Sequence, residues 1–287
     1  MRTNGVDLVD DVCHSVECGA GEPELQAGLV LASVVLTIGL VATFRYIAEA
    51  HSLLDRERER TAAERDAFAA FEREVSGIET TQSVPTAGTA VAVTAGPTDH
   101  QLDQVRNAYR ETVMAVPHYE TEYDEPIQAN MSAELGQELT AAVFDGSRFT
   151  HQLKHGLLSQ ATEACRRRRK LLETLDRETR RLTDASEDLR DIETTLDAET
   201  PDSIEDCTFT DLSERWDGLG DAEDRCRDLL EDYATPHTST PEDQPEFREY
   251  VYQSMPTEYP VLSDGTRLLD RITDSRHRLL HALTRRA

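Results

Sequence analysis

The sequence is nearly free of lysine and contains few cysteines, glycines and aromatic residues. Of its 30 basic residues only Lys154 and Lys170 are lysines, and the 287 residues include 14 glycines and five cysteines. So little glycine excludes a collagen-like chain, and so little cysteine excludes a disulfide-rich scaffold. Only one apolar stretch is long enough to cross a bilayer, which excludes a membrane protein with several spans. The length allows one or two domains with an ordinary core.

Acidic residues outnumber basic residues by a wide margin. The 56 aspartates and glutamates against 30 arginines and lysines leave a formal net charge of -26. Such a charge repels itself in dilute buffer, whereas molar salt screens it. An acidic chain that uses arginine and almost no lysine is typical of salt-loving microbes, so the composition predicts a halophilic, archaeal protein. The same charge disfavours general nucleic-acid binding, which needs a positive footprint.

No motif for a known chemistry occurs in the sequence. It lacks a nucleophile elbow, a glycine-rich phosphate loop, a dinucleotide-binding turn and a Cys-x-x-Cys pair. His151 and His155 are four residues apart, a spacing that can bind one metal ion. No third ligand is identifiable, so two surface histidines are the favoured interpretation. We therefore expect no enzyme activity, and no catalytic residue, cofactor, metal or small-molecule substrate.

One segment is uncharged and apolar over its whole length. Residues 25–44 comprise twenty such residues, which as a helix would span about 30 Å, the thickness of a bilayer's hydrocarbon core. The alternatives are a buried core helix and a cleavable signal peptide. The acidic residues before the segment disfavour a signal peptide, which needs a basic start. The pattern predicts a single transmembrane helix in the cell membrane.

Basic residues set the predicted orientation of this helix. The range 45–65 after the segment contains five arginines, whereas Arg2 alone precedes it. The positive-inside rule then places residues 1–24 outside the cell, as a short extracellular N-terminus, and the C-terminal part in the cytoplasm. In that oxidising exterior, Cys13 and Cys18 would be able to form a disulfide.

Changes in composition divide the rest of the chain. Residues 45–79 alternate in charge sign around a seven-residue apolar repeat and predict a juxtamembrane helical stalk. Residues 80–99 lose their charge, gain proline, glycine and threonine, and predict a flexible linker. Residues 100–287 then form the predicted cytoplasmic helical domain, with a polar, proline-rich break at 235–246. Within it, helices are predicted over 101–116 and about 127–144, and Asp211 is predicted to cap a further helix.

The clearest periodicity lies in one long helix predicted from Phe149 to about Ala198. Ten of twelve seam positions are apolar, which indicates a coiled coil or a long helical hairpin. The two exceptions, Arg168 and Glu178, are predicted to fix register or partner choice. The seam fits an intramolecular core and an intermolecular zipper equally well. Its positions are Leu157, Ala161, Ala164, Arg168, Leu171, Leu175, Glu178, Leu182, Ala185, Leu189, Ile192 and Leu196.

A proline-bounded loop at residues 117–126 is dense in aromatic and acidic side chains. Oxygen-rich loops can bind calcium or magnesium, but the spacing and glycine hinge of a calcium loop are absent. A structural loop whose tyrosines pack on the helices is the favoured interpretation. Because such loops often recognise partners, it is also the best candidate for a partner-binding loop, with His118, Tyr119, Tyr123 and Asp124.

Residues 166–170 are five consecutive basic residues that could contact phosphates or lipid head groups. Five consecutive helical residues cover more than one turn, so they cannot all face one ligand. Acidic residues within one turn offer internal partners. An internally paired, solvated stretch is therefore favoured over a nucleic-acid or lipid patch.

Three segments resemble a known family. They are YRETVMAVPHYETEYDEP (109–126), ERERTAAERDAFAAFEREV (57–75) and EYVYQSMPTEYPVL (249–262). Together they are similar to haloarchaeal, single-pass membrane-anchored proteins of unknown function. The resemblance covers most of the predicted cytoplasmic part and implies a single anchor and a salt-loving origin. It implies no activity, catalytic residue or cofactor.

These observations predict an all-α chain with one transmembrane helix, a juxtamembrane stalk and a cytoplasmic bundle of long amphipathic helices. The predicted function is that of a membrane-anchored interaction or scaffold protein. It would contact the bilayer through residues 25–44 and bind other proteins, or itself, through its cytoplasmic helices. The alternatives are a membrane-bound signalling or regulatory input module, and a tethered binder of lipid or nucleic acid that uses residues 166–170.

Overall fold

The structure is a computed structural model that describes residues 44–80, 99–235 and 245–286. Within these ranges every regular element is helical and no strand occurs, which confirms the all-α, bundle-like part of the prediction. The helices are α1 (Arg45–Gly77), α2 (Asp99–Thr112), α3 (Tyr119–Glu122), α4 (Ile127–Leu135), α5 (Gln137–Phe144), α6 (His151–Glu199), α7 (Phe209–Ala234), α8 (Pro245–Tyr252) and α9 (Pro260–Arg286), with a short 3-10 segment at Val113–Ala115.

Helices α1 and α6 pack side by side in opposite directions. Near the end of α1, the carbonyl oxygens of Ser76 and Ile78 each accept a hydrogen bond of 2.7 Å from Nζ of Lys154, at the start of α6. In the first half of α1, Arg58 pairs with Asp176 at 2.7 Å. The α6 partner moves back toward its N-terminus as the α1 residue number rises, so the two helices are antiparallel.

Every seventh residue of α1 faces the interior. These buried residues are Ile47, Leu54, Thr61, Phe68 and Val75. A repeat of seven keeps one stripe of a helix against a neighbouring helix, and the alternating charges lie on the other faces. The helix that the sequence predicted as a stalk over 45–79 is thus a core helix, within the same compact unit as the rest of the described chain.

The apolar side chains form two cores arranged along α1 and α6. The first core joins the second half of α1 and the first half of α6 to α2, α4 and α5, and the second joins their other halves to α7, α8 and α9. Large buried side chains of the first core are Phe68, Phe71, Tyr109, Met131 and Phe149; those of the second are Ile47, Leu54, Leu175, Leu182 and Tyr252.

The predicted seam of α6 packs inside the chain. Ten of its twelve positions are buried, and Arg168 and Leu171 are half-buried. Their neighbours are α1, α4, α5, α7 and α9 of the same chain. The structure therefore decides between the two arrangements that the sequence left open: the seam forms an intramolecular core.

Both ends of α1 are capped by side chains from distant helices. Phe44, at the N-terminal cap position, supplies no capping side chain. Instead Oδ2 of Asp264, in α9, accepts a hydrogen bond of 2.9 Å from the backbone N–H of Ile47. At the other end Lys154 binds the last carbonyls. A carboxylate at the positive end of a helix and an ammonium at its negative end both stabilise it.

Local sequence signals explain two helix boundaries that differ from the predicted ones. One helix was expected over 127–144, but Gly136 has φ +95° and separates α4 from α5. Only glycine adopts that conformation without a steric penalty. Helix α7 was expected to be capped by Asp211; the cap is Thr208, and Asp211 completes a capping box by accepting the Thr208 N–H.

The predictions that involve a membrane are corrected by the structure. No helix in the described ranges is both long enough and apolar enough to cross a bilayer. Of the predicted transmembrane segment 25–44 only Phe44 is described, and it is 3 % exposed, packed in the second protein core. The fold class with a transmembrane helix, the single-pass assignment and the localisation in the cell membrane with a cytoplasmic C-terminal part are therefore wrong as predicted.

Several predicted segments lie outside the described residues. These are the extracellular segment 1–24, residues 25–43 of the predicted span, most of the linker 80–99 and most of the break 235–246.

The cap of α1 by Asp264 gives a first prediction. Replacing Asp264 with alanine leaves the N-terminal N–H groups of α1 without their buried acceptor, so we expect a loss of about 1–2 kcal/mol in the free energy of unfolding. The measurement is urea unfolding of the 287-residue chain, followed by circular dichroism. The control D264N keeps an acceptor oxygen and should retain most of the stability. Equal unfolding of D264A and the parent chain would contradict the cap.

Candidate partner-binding site

The predicted partner loop docks on α1 through one glutamate. Tyr123, directly after the short helix α3, donates its hydroxyl to Oε1 of Glu64 at 2.7 Å. Nε2 of His118, directly before α3, lies 3.1 Å from the same oxygen. The side chains of His118 and Glu64 are both largely shielded from solvent. One carboxylate oxygen therefore holds both ends of α3 against α1.

Arg168 binds the other side of the same glutamate. Its Nε donates to Oε2 of Glu64 at 2.8 Å. Its two terminal nitrogens donate to the two carboxylate oxygens of Glu134, in α4, at 3.1 and 2.7 Å. Its guanidinium carbon also lies 4.5 Å from the centre of the Phe68 ring. This bidentate, charge-assisted arrangement is the strong form of an arginine contact, and it joins α1, α4 and α6 at one point.

The electrostatics of this cluster follow from burial and from the paired charges. Burial by itself opposes ionisation of Glu64, but the hydrogen bond from Tyr123 and the charge of Arg168 outweigh it, so the pKa of Glu64 is lower than usual. Burial also disfavours the charged form of Arg168, but Glu134 and Glu64 raise the pKa of its guanidinium. The ion pair therefore remains fully charged at neutral pH.

The second predicted seam residue, Glu178, lies in a separate cluster. It is 5 % exposed and accepts a hydrogen bond of 2.7 Å from the hydroxyl of Tyr252, in α8. Nη1 of Arg181 lies 3.9 Å from its other oxygen. The structure thus places Arg168 against α1 and α4, and Glu178 against α8. Each is held in its own polar contact.

Asp124 completes the loop in an uncommon backbone conformation. Its φ of +41° lies in the left-handed region, which aspartate tolerates better than most residues. The bend brings Tyr123 beside Tyr119, with ring centres 5.6 Å apart. Tyr119 is buried and donates its hydroxyl to the carbonyl of Glu125 at 3.0 Å. Tyr119 therefore packs beneath the loop in the protein interior, while Tyr123 remains 37 % exposed.

Sequence reasoning missed the residues on α1 and α8 that complete this surface. Tyr250, in α8, is 47 % exposed and donates its hydroxyl to Glu57. Glu57 and Glu64 are seven residues apart, so they share a face of α1 and lie about 10 Å apart along it. The sequence did contain a signal for this shared face, because the seven-residue spacing of Glu57 and Glu64 equals the apolar repeat of α1. We call Tyr123 and Tyr250, with Glu57 and Glu64 that hold them, the tyrosine surface.

The two tyrosines are close enough to affect each other. Burial raises the pKa of Tyr250, as do its hydrogen bond to Glu57 and, more weakly, the Glu64 carboxylate and the Tyr123 phenol. Burial and the hydrogen bond to Glu64 likewise raise the pKa of Tyr123. Both phenols are therefore neutral hydrogen-bond donors at physiological pH, and their rings are held in fixed orientations.

The basic run 166–170 points in several directions, as the helix geometry requires. Arg166 pairs with Glu163 at 2.6 Å, and Arg167 lies 3.6 Å from Glu134. Arg168 is committed to the buried cluster. Only Arg169 and Lys170 remain solvent-exposed with no acidic partner in the described part of the chain. The run does not present five cations to one ligand.

The other candidate ligands remain apart. His151 and His155 are exposed and line an open depression beside Lys154 and Glu79. Among the described residues no group of three or more histidine, cysteine, aspartate or glutamate side chains could hold a metal ion. Cys13 and Cys18, the predicted extracellular disulfide, lie outside the described residues.

The Arg168 cluster gives a second prediction. The variant R168M leaves Glu64 and Glu134 largely buried with no cation between them, so we expect the free energy of unfolding to fall by about 3 kcal/mol. Urea unfolding measures it. Neutralising both carboxylates in the triple variant R168M/E64Q/E134Q should recover most of the loss.

The matched control for this prediction is R169M, which removes the neighbouring, exposed arginine and should leave stability unchanged. If R168M and R169M unfold alike, the cluster does not stabilise the junction of α1, α4 and α6.

Comparison with known proteins identifies a family. The model of DUF7260, a domain of unknown function, matches residues 45–276. No curated protein and no solved structure matches the chain. The matched range begins at the first residue of α1 and ends within α9, so it contains the Arg168 cluster and the whole tyrosine surface. The chain belongs to the DUF7260 family, a family of unknown function.

Proposed function

We propose that this protein is a helical interaction module that binds another polypeptide through its tyrosine surface. The observation that carries the proposal is the pair of half-exposed tyrosines, Tyr123 and Tyr250, each held by a glutamate of α1. Tyrosine is enriched among the residues that contribute most to protein interfaces. Side chains that are already ordered lose little entropy when a partner binds.

The position of the surface suits a scaffold. Tyr123 belongs to the loop between α2 and α4, two helices of the first core, whereas Tyr250 belongs to α8, which packs on the second core. A partner on this surface would contact both parts of the bundle along α1. Such a contact would stabilise the bundle as one unit.

The proposed role is binding and not catalysis, because the polar groups of the site are already paired with one another. Both oxygens of Glu64 accept hydrogen bonds, and Arg168 uses three nitrogens on two carboxylates. Groups committed in this way are arranged to hold a surface in place. A catalytic site instead leaves polar groups free to converge on a substrate.

We also propose a halophilic, archaeal origin, which the net charge of -26 and the two lysines support. Repulsion among the acidic residues opposes the compact state at low ionic strength, and salt screens it.

A third prediction follows from this charge. Raising NaCl from about 0.1 M to about 3 M should stabilise the fold through screening, and a gain of about 2 kcal/mol would raise Tm by roughly 4–8 °C. Thermal unfolding by circular dichroism measures it. A sucrose series, which favours the folded state without screening charge, is the control. A Tm that is flat or falls with salt would contradict the proposed origin.

The interaction role gives a fourth prediction. A photo-cross-linking amino acid at Glu120, three residues before Tyr123, should yield a covalent adduct in cells because a partner covers the surface. Mass spectrometry then identifies the adduct as another protein or as a second copy of this chain. The same amino acid at Glu187, an exposed residue of α6, is the positional control.

Variants decide whether the tyrosines carry the interaction. We expect the Glu120 adduct to disappear in Y123A/Y250A and to persist in Y259A, since Tyr259 is 46 % exposed but lies outside the surface. Circular dichroism verifies that each variant folds. An adduct that persists in the folded double variant, or none above the level at Glu187, would refute the proposed function.

A further inference from the structure

We infer that the tyrosine surface binds two arginine side chains of the partner polypeptide, with one guanidinium stacked on the ring of Tyr123 and the other on the ring of Tyr250. The inference rests on the proposed function and names the chemistry of the partner. It is carried by the contacts of the other tyrosines, by the charges around the surface and by the distribution of arginine in the sequence.

Tyrosine rings elsewhere in this chain are stacked with arginine. A guanidinium over the face of an aromatic ring is attracted by the ring's negative π-cloud. The distances from guanidinium carbon to ring centre are 4.8 Å for Arg45 and 4.6 Å for Arg267 over Tyr46, 4.6 Å for Arg181 over Tyr233, and 5.1 Å for Arg248 over Tyr259. Three of the five tyrosines that are not buried therefore have an arginine of the same chain over the ring.

Tyr123 and Tyr250 do not have such a cover among the described residues. The ring of Tyr123 contacts Tyr119 and His118 at its side. The arginines near the two rings have other contacts: Arg60 pairs with Glu122 at 2.5 Å, Arg168 lies within the buried cluster, and Arg248 lies over the ring of Tyr259. Tyr123 is 37 % exposed and Tyr250 is 47 % exposed, so a cation from another molecule can reach them.

The surroundings of the two rings favour a cation. The loop 117–126 and α8 contain six acidic residues and one arginine, Arg248. The acidic residues are Glu120, Glu122, Asp124, Glu125, Glu246 and Glu249. The part of α1 that binds the two tyrosines, 57–64, contains three glutamates and two arginines, and these arginines are paired, Arg58 with Asp176 and Arg60 with Glu122. Complementary charge raises the association rate and rejects anionic partners. Arginine suits the site better than lysine, because its planar guanidinium stacks on a ring while its edge binds carboxylates.

Within the 287 residues, one basic side chain outside the described ranges could cover the rings instead of a partner. The sequence outside the described ranges contains no lysine and a single arginine, Arg2. An intramolecular cover would therefore have to use Arg2. This alternative is testable, because R2A removes it without touching the surface.

The experiment is a titration of the 287-residue chain with a defined peptide. The probe is an acetylated, amidated glycine/serine decapeptide that carries two arginines spaced to span about 10 Å. Nuclear magnetic resonance of ring-labelled tyrosine reports binding at each ring. We expect the signals of Tyr123 and Tyr250 to shift on titration and those of Tyr259 to stay unchanged.

Two sets of controls distinguish the contribution of the arginine charge from that of the peptide's shape and from that of the tyrosine rings. A peptide with citrulline in place of arginine keeps the shape without the charge and should bind about tenfold more weakly. Y250F keeps the ring and should retain binding, whereas Y123L/Y250L should lose it while remaining folded by circular dichroism. Equal affinity for the arginine and citrulline peptides, or unchanged binding to the folded Y123L/Y250L, would overturn the inference. Tighter binding to R2A would overturn it too, because Arg2 would then occupy the surface.

The result of this titration is independent of the cross-linking result that tests the proposed function. A partner cross-linked at Glu120 together with no arginine binding would leave the interaction role standing and remove only the arginine. If neither the Glu120 adduct nor binding of the arginine peptide is observed, both proposals are refuted.

Discussion

The fold depends on the antiparallel packing of α1 against α6, and Arg168 joins both helices to α4 through paired charges. An arginine at a seam position is costly unless carboxylates satisfy it on both sides. Glu64 of α1 and Glu134 of α4 do so, with donor–acceptor distances of 2.7–3.1 Å. A shift of either helix by one turn would separate these charges and leave them partly buried without partners. The Arg168 contacts, like those of Arg58 and Lys154, are made only in the register that the structure shows.

The same contact positions the surface that we assign to partner binding. Glu64 uses one oxygen for Arg168 and the other for Tyr123, so α6 and the loop contact the same side chain of α1. Tyr250 reaches the same face of α1 through Glu57. The two ends of α1 are also bound, by Asp264 and Lys154. Helix α1 is therefore the element that side chains from both cores contact.

Much of the helical architecture was predictable, because periodicity is a local property. The seven-residue repeats of α1 and α6 predicted the buried stripes of both helices, and Arg168 and Glu178 stood out as polar residues in an apolar seam. The split at Gly136 was missed because the flanking apolar pattern continues across it. The membrane interpretation failed at Phe44, where apolar character alone does not distinguish lipid from a protein core.

The sequence by itself determined that the described chain is helical and which faces of its helices are apolar. It also determined that an aromatic, acidic loop, 117–126, follows the helix predicted over 101–116. Only the tertiary structure decided that the seam packs within one chain, and that Glu64, Arg168, Glu134 and Tyr250 meet near that loop. The physical reason is the separation of the interacting residues along the sequence. Periodicity depends on residues a few positions apart, whereas Glu64 and Arg168 are 104 residues apart, and their meeting depends on how the whole bundle packs.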